Sequence, residues 1–319
     1  MLIDDNREEE IQNPEIEITK KINPLNKNMK YAFLGNPRFA EIILKKLIKN
    51  FQPPEVLICN PDKPTGRKKI ITPPETKVLA QEHGIKIYQP EKLTLEDWKK
   101  NVSDIDVCVV SAYGKIIPDE IIQSVKFGFI GVHPSLLPRF RGPTPIQSVI
   151  LEGEEKTGTT LYLIDKEVDH GPIIIQKELL LNNENYLKLE KKLANLSAEL
   201  LINDLPNYLS GEIKPKEQNH KEATFTNKFS SKDVEIDFNN LKDALLGDKE
   251  KSIIIDKQIR ALNPEPGTWV IPNDDSLEEL PENKRVKIIS SEIKEDKLIL
   301  NKTQVAGKKP KNYKNEKKK

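Results

Sequence analysis

Histidine, cysteine, methionine and tryptophan are all scarce in this chain, at four, two, two and two of 319 residues. Two cysteines make neither a zinc site nor a disulfide framework. Both lie in apolar strand-like runs, Cys59 in VLICN and Cys108 in VCVV, which reads as buried free thiols in a reducing cytosol. No apolar run approaches the roughly 18 residues of a membrane span. The first residues are charged where a signal peptide needs its apolar core. Net charge is missing too, because 51 lysines and arginines nearly cancel 50 aspartates and glutamates. A polyanion therefore has to be met by local basic patches, not by the field of the whole molecule. The expectation is a soluble cytoplasmic protein.

What is present divides the chain. At 319 residues it is long for one domain, since single cores rarely grow past about 250 residues. Residues 1–28 are polar and at first acidic (DDNREEE), which predicts a disordered extension. Met29 stands directly before the first good strand, so translation starting there is a further expectation, checked by the N-terminal mass of the native protein. From there short β-rich runs alternate with amphipathic segments whose apolar residues recur at three and four. The runs are YAFLG (31–35), EVLIC (55–59), IKIYQ (85–89), VCVVSAYG (107–114) and FGFIGV (127–132). Such alternation predicts an α/β fold, a doubly wound, mostly parallel, Rossmann-like sheet over 29–210. TTLYLI (159–164) and PIIIQKEL (172–179) are close enough to pair antiparallel. A helix follows from about Glu184 to Tyr208, with Leu189, Leu193, Leu196 and Leu200 on one face. Segment 211–222, GEIKPKEQNHKE, reads as a polar linker. Beyond it EIDF, GTWVI, RVKIIS and KLILN, without intervening crossover helices, predict a small OB-like β-barrel over 223–307. Residues 308–319 form a basic tail.

The chemistry-bearing residues cluster in two places. In GFIGVHPSLLP (128–138) an apolar strand of Phe129, Ile130 and Val132 runs into His133. Pro134 biases His133 toward extended backbone, which presents the ring at a strand end, where open α/β sheets bind ligands. Imidazole, with a pKa of about 6.5, exchanges protons near neutrality. Thirty-six residues on, Asp169 stands in LIDKEVDHGPI, between two strand candidates. A histidine and a carboxylate at one sheet edge can share a proton-handling site; a structural histidine and a solvated acid account for the same residues. Further upstream, NPDKPTGRKKI (60–70) packs Lys63, Arg67, Lys68 and Lys69 into one loop. It suits sequence-tolerant phosphate contacts, or it is a solvated loop.

Taken together, HPSLLPRFRGPTPIQ, TGTTLYLIDKEVDHGPI and VVSAYGKIIP resemble the folate-dependent formyltransferases, whose signature joins SLLP and its histidine to a later D-x-G. YAFLGNPRFA, NPDKPTGRKKI, IRALNPEPGTWV and VAGKKP extend the likeness over residues 29 to 310, and resemble in particular the branch that acts on methionyl-tRNA. The resemblance implies formyl transfer from 10-formyltetrahydrofolate, as cosubstrate, to the amino group of initiator methionyl-tRNA, on a monomer, with no metal and no covalent nucleophile. It implies catalytic roles for His133, as oxyanion donor, and Asp169, as the acid that tunes it. Folate binding is implied for Val110, Ser111, Ala112, Tyr113, Gly114, Ser135, Leu136, Leu137, Pro138 and Asp165. Contact with tRNA is implied for Lys63, Arg67, Lys68 and Lys69, with Arg67 at the position of the family's key arginine.

One departure stands out. The family carries asparagine two residues before the histidine, where this chain has Gly131. That amide is the partner oxyanion donor, and losing one such donor costs roughly a hundredfold to a thousandfold in turnover. Gly131 predicts reduced turnover, compensation by a water or another donor, or a homologue kept for binding tRNA or folate. His170 is a nearby donor, expected to point the opposite way from Asp169. A formyltransferase or hydrolase acting on another small amine is the same-class alternative.

Overall fold

The computed structural model describes residues 29–66, 68–274, 276–277 and 279–313. The extension 1–28, Arg67 and tail residues 314–319 lie outside the described residues.

Short, wholly apolar runs become central parallel strands when helices cover both of their faces. β1 (Tyr31–Gly35) is buried at every position; Tyr31 and Phe33 enter one core, Ala32 and Leu34 the other. It leads into α1 (Arg38–Asn50), β2 (Val56–Ile58) and an exposed hairpin of β3 (Lys63–Thr65) and β4 (Ile70–Thr72). There follow α2 (Glu75–Glu82), β5 (Lys86–Tyr88), α3 (Leu95–Asn101), β6 (Val107–Ser111), α4 (Asp119–Ile122) and β7 (Phe129–His133). After α5 (Pro145–Glu152) come β8 (Lys156–Leu163), antiparallel to β7, and β9 (Ile173–Leu180), antiparallel to β8. The leucine-striped segment forms α6 (Tyr186–Leu209), started by the Asn185 side chain, which accepts from the Lys188 amide at 3.0 Å. The seven strands lie in the order β5-β2-β1-β6-β7-β8-β9, the doubly wound, mostly parallel sheet that the sequence predicts.

The C-terminal part contains helices that the strand-only reading leaves out. Asp237 and Asp248 accept from the amides of Asn240 and Lys251, and Gly247, at a φ of +112°, ends the first helix in left-handed conformation. The result is α7 (Phe238–Leu246) and α8 (Lys249–Leu262). EIDF contributes only an isolated bridge, from Glu235 to Trp269. The two helices share a separate core, including Leu241, Ile259, Val286 and Leu300, with a four-stranded antiparallel sheet. Its strands are β10 (Trp269–Val270), β11 (Val286–Lys294), β12 (Lys297–Val305) and β13 (Lys311–Asn312). β13 comes from the basic tail, and Tyr313 packs on the same core.

Segment 211–222 is not held off the fold: Lys216 bridges Ile173, and Gln218 is buried. Cys59 and Cys108 are buried free thiols; burial pushes Cys59 up to about 11 and Cys108 well above the ordinary thiol range, which makes both poor nucleophiles. Among the described residues no helix is long and apolar enough to cross a membrane.

Asn36 ties three strand ends together. Its Nδ2 donates to the Tyr113 carbonyl beyond β6 at 2.5 Å, and its Oδ1 accepts from the Asn60 amide beyond β2 at 2.6 Å. Asn36→Ala leaves the Asn60 amide unmatched and the Tyr113 carbonyl with only the 3.4 Å contact from Asn60 Nδ2, and a cost of about 2 kcal/mol is expected. Urea unfolding should show a lower midpoint at unchanged slope; an unchanged midpoint would contradict this role for the asparagine.

Candidate active site

β1 lies between β2 and β6, so the sheet is extended from its middle toward both flanks. At such a switch point a crevice opens beyond the carboxyl ends of the strands. A cavity of about 720 Å³ lies there, a size typical of small-ligand sites. Pro37 and Phe39 line it from the end of β1, Val110 and the residues after β6 from the next strand, and His133 from β7. Tyr162 on β8 and the loop from Asp165 to Asp169 complete the wall.

His133, the last residue of β7, is buried. Its Nε2 donates to the Phe140 carbonyl at 2.8 Å. A carbonyl only accepts, so that nitrogen carries a proton. Nδ1 stands 3.5 Å from Asp169 Oδ2. Asp169 occupies the β8–β9 loop with a φ of +49°, a conformation that costs a non-glycine residue about 1–3 kcal/mol. Hydrogen bonds hold it there. Oδ2 accepts from the Gly142 amide at 2.7 Å, Oδ1 from the Tyr162 hydroxyl at 2.7 Å, and the Asp169 carbonyl from Gln218 Nε2 at 3.0 Å. Gly142 meets the carboxylate at a φ of +109°, in a place where a Cβ would fall 2.7 Å from the Thr226 carbonyl. Burial, then the Asp169 carboxylate, pushes the Tyr162 phenol well up, so it stays a donor.

The residues expected at folate divide into two groups. Val110, Ala112, Tyr113, Gly114 and Asp165 line the cavity. Ser111 is buried away from it, and Ser135, Leu136, Leu137 and Pro138 stay off it as well. The Ser135 hydroxyl donates to the Arg139 carbonyl at 2.7 Å and the Leu137 amide to the Thr160 hydroxyl at 3.2 Å. The SLLP run therefore builds the turn that carries Phe140 back to His133. Asp165 accepts from the Glu167 amide at 2.9 Å and from His170 at 2.7 Å, and His170 stacks on His220 with ring centres 4.1 Å apart. That engagement keeps His170 from serving beside His133.

The arginines after SLLP are spent on structure. Arg139 forms a two-pronged pair with Glu154. Buried Arg141 donates to Gln218 Oε1 at 2.6 Å and to His220 Nδ1 at 2.9 Å. Lys63, Lys68 and Lys69 are exposed on the β3–β4 hairpin, outside the cavity. Asp62 anchors the base of that hairpin. Gln89 at 2.9 Å, then Lys77 at 2.8 Å, hold its carboxyl below the usual range.

Sequence reasoning missed Asn36, Tyr162, Glu190 and Gln218. Tyr162 had a readable signal, a bulky polar residue in the strand that pairs beside Gly131. Gln218 had none, since 49 residues separate it from Asp169. Glu190 lies inside the leucine stripe of α6 yet lines the cavity. It accepts from the Tyr186 hydroxyl at 3.0 Å and faces Arg38 at 3.6 Å.

Residues 29–205 match the family described as formyl transferase. The methionyl-tRNA formyltransferase of Thermotoga maritima is 37% identical over 242 residues, covering 75% of this chain and 74% of its own. That of Bacillus velezensis is 36% identical over 249 residues, covering 77% and 75%. Among solved structures, the methionyl-tRNA formyltransferase from Clostridium thermocellum superposes with a TM-score of 0.55 at 19% identity, over 87% of this chain and 98% of that one. The sugar 3N-formyl transferase WlaRD reaches a TM-score of 0.56 at 23% identity, over 83% and 86%. At these identities the structural likeness is one of fold.

Burial pushes the Glu190 carboxyl up from its ordinary value. An acid with a raised folded-state pKa binds its proton more tightly in the native state, so its contribution to stability is full below the ordinary glutamate range and declines as pH rises through the folded pKa. Glu190→Gln removes that decline. Its melting temperature should exceed the parent's near about pH 8 and lose that advantage near about pH 4. A difference that does not change with pH would refute the assignment.

Proposed function

The chain belongs to the formyl transferase family, and from that membership we propose that it moves a formyl group from 10-formyltetrahydrofolate to the amino group of initiator methionyl-tRNA. The observation that carries this reading is the meeting of His133 and Asp169, from two different strand ends, in one mostly apolar cavity at the switch point of the sheet. Apolar walls with Phe39, Tyr113 and Ile164 suit a flat heterocycle, and the main chain from Ala112 to Gly114 offers it polar groups.

In this reading the substrate amine attacks the formyl carbon and a nitrogen–carbon bond forms. Negative charge gathers on the formyl oxygen, the bond from that carbon to the folate nitrogen breaks, and the amine's proton ends on the leaving nitrogen. His133 keeps one proton on Nε2 for Phe140, so its neutral ring takes the amine proton on Nδ1. The resulting imidazolium can donate toward the developing oxyanion, with Asp169 beside it to favour the charge. No metal enters the scheme.

The basic hairpin is the tRNA contact in this proposal, through Lys63, Lys68 and Lys69 together with Arg67. Exposed Ile70 and Ile71 on the same hairpin give it an apolar edge. Residues 29–210 form the catalytic unit and 223–307, to which β13 of the tail adds a strand, a second unit that helps to hold tRNA, joined by 211–222. The reading is of a cytoplasmic monomer. A small amine as substrate would leave the hairpin's charge without a purpose.

Incubating the protein with both substrates should yield formyl-methionyl-tRNA. His133→Ala should lower kcat roughly 10²- to 10⁴-fold, the range for a lost general base. Transfer to small amines only, with methionyl-tRNA inert, would overturn the proposal. Replacing Lys68 and Lys69 by glutamate should weaken tRNA binding and flatten its dependence on salt, while folate binding in the same filter assay stays unchanged. Equal losses for both ligands would remove the hairpin from the tRNA interface.

A further inference from the structure

Gly131 and Tyr162 sit directly opposite each other on β7 and β8. A Cβ built on Gly131 would fall 2.2 Å from Tyr162 Cε1, 2.4 Å from Cζ and 2.7 Å from the hydroxyl oxygen. Real side chains do not approach so closely, so the tip of the phenol ring occupies the volume that any residue other than glycine would need at 131. The ring is 6% exposed and belongs to the cavity wall alongside His133 and Asp169. Its hydroxyl donates to Asp169 Oδ1 at 2.7 Å, while Oδ2 accepts from the Gly142 amide and is turned to His133 Nδ1 at 3.5 Å.

We propose that Tyr162 and Gly131 form an interlocked pair, in which the Tyr162 hydroxyl is a positioning residue for Asp169 and Gly131 is the gap that admits its ring. The asparagine that the family resemblance leads one to expect at 131 is then not simply missing. Its space is taken by a polar group that reaches the same corner of the cavity from the neighbouring strand. A hydrogen bond from a phenol to a carboxylate is charge-assisted and directional. It fixes the rotation of the Asp169 side chain, which decides whether Oδ2 faces the imidazole. Loss of such an orienting bond acts on the chemical step more than on substrate binding. Putting asparagine back alone cannot help, because amide and ring compete for one volume.

The inference rests on the proposed formyl-transfer reading for its kinetic consequence, though not for the steric interlock. Four variants test it: Tyr162→Phe, Tyr162→Leu, Gly131→Asn, and Gly131→Asn combined with Tyr162→Leu. Tyr162→Phe keeps the ring and should lower kcat about 10- to 100-fold, with KM for both substrates within about twofold. Gly131→Asn alone should lower activity further and reduce the melting temperature. Adding Tyr162→Leu to it should recover both, so that asparagine at 131 is harmful beside tyrosine and helpful beside leucine. A Tyr162→Phe variant with kcat within about twofold of the parent, or a gain in activity from Gly131→Asn alone, overturns the proposal. If the parent transfers no formyl group, the reading of function fails, and the melting temperatures still decide the interlock. Equal effects of Gly131→Asn in the Tyr162 parent and in the Tyr162→Leu background would refute it.

Discussion

The site depends on one anion held in an unfavourable backbone conformation. Asp169 is a non-glycine residue at positive φ, and its carboxylate is largely withdrawn from water. A buried carboxylate without partners is costly enough to shift toward its neutral form or to pull the loop open. Here a main-chain amide, a phenol and an imidazole surround it, on three separate stretches of chain. The amide and the phenol donate to it while the imidazole sets Nδ1 beside it, and each contact fixes the stretch that carries it. Gly142 sets the loop before α5, Tyr162 sets the face of β8, and His133 sets the end of β7.

A second ring of polar contacts stands behind the first and joins segments far apart in sequence. Arg141, next to Gly142, is held by Gln218 and His220, and Gln218 also donates to the carbonyls of Asp169 and Gly171. His220 accepts from Arg141 on Nδ1, so this nitrogen carries no proton, and its ring lies flat on His170. The segment continues as an added edge. The Thr224 carbonyl accepts from the Arg141 amide at 2.9 Å, and the Thr226 amide donates to the Arg141 carbonyl at 2.7 Å. A stretch with the composition of a linker thus clamps the loop that carries Arg141 and Gly142. The C-terminal part is joined to the first core as well, since Val234, Ala261, Leu262 and Trp269 are buried in it. Arg260 on α8 also donates to the Glu184 carbonyl at 3.0 Å.

How much of this was legible follows from the range of each signal. Alternating apolar runs and amphipathic segments are local: β1, β2, β5 and β6 lie within the stretches where they were expected, and β7 runs one residue past its stretch, to His133. The pairing of His133 with Asp169 rested on spacing and on resemblance; contact between them depends on β7 and β8 being neighbours. The helices α7 and α8 were written in the sequence as Asp237, Gly247 and Asp248, two starts and a stop, but short apolar triplets on either side drew the eye to strands. The SLLP run was the harder case. Its residues turn away from the cavity, because the main-chain turn they form is what matters, and no side-chain pattern distinguishes a residue that touches a ligand from one that aims its neighbour. Gln218 and Glu190 illustrate the remaining limit: a polar residue in a solvated-looking segment, or within a leucine stripe, becomes part of a site only through tertiary packing.

The turn gives the imidazole its polarity. Phe140 sits at a φ of +61° with its amide donated to the Thr224 hydroxyl at 2.8 Å, and this directs its carbonyl at His133 Nε2. Because that nitrogen must donate, the neutral ring has a single free lone pair, on the nitrogen beside Asp169. Moving the proton to Nδ1 would set two acceptors against each other at the carbonyl, and rotating the ring by half a turn would leave the carbonyl without that donor, each a cost of about 1–3 kcal/mol in a buried place. The main chain of the SLLPRF run therefore selects the tautomer. A proton arriving at His133 can settle only where the carboxylate can stabilise the charge, and Tyr162 and Gly142 keep that carboxylate turned to receive it. In the proposed reaction the proton path is thus fixed by one carbonyl contact and one carboxylate contact before any substrate enters.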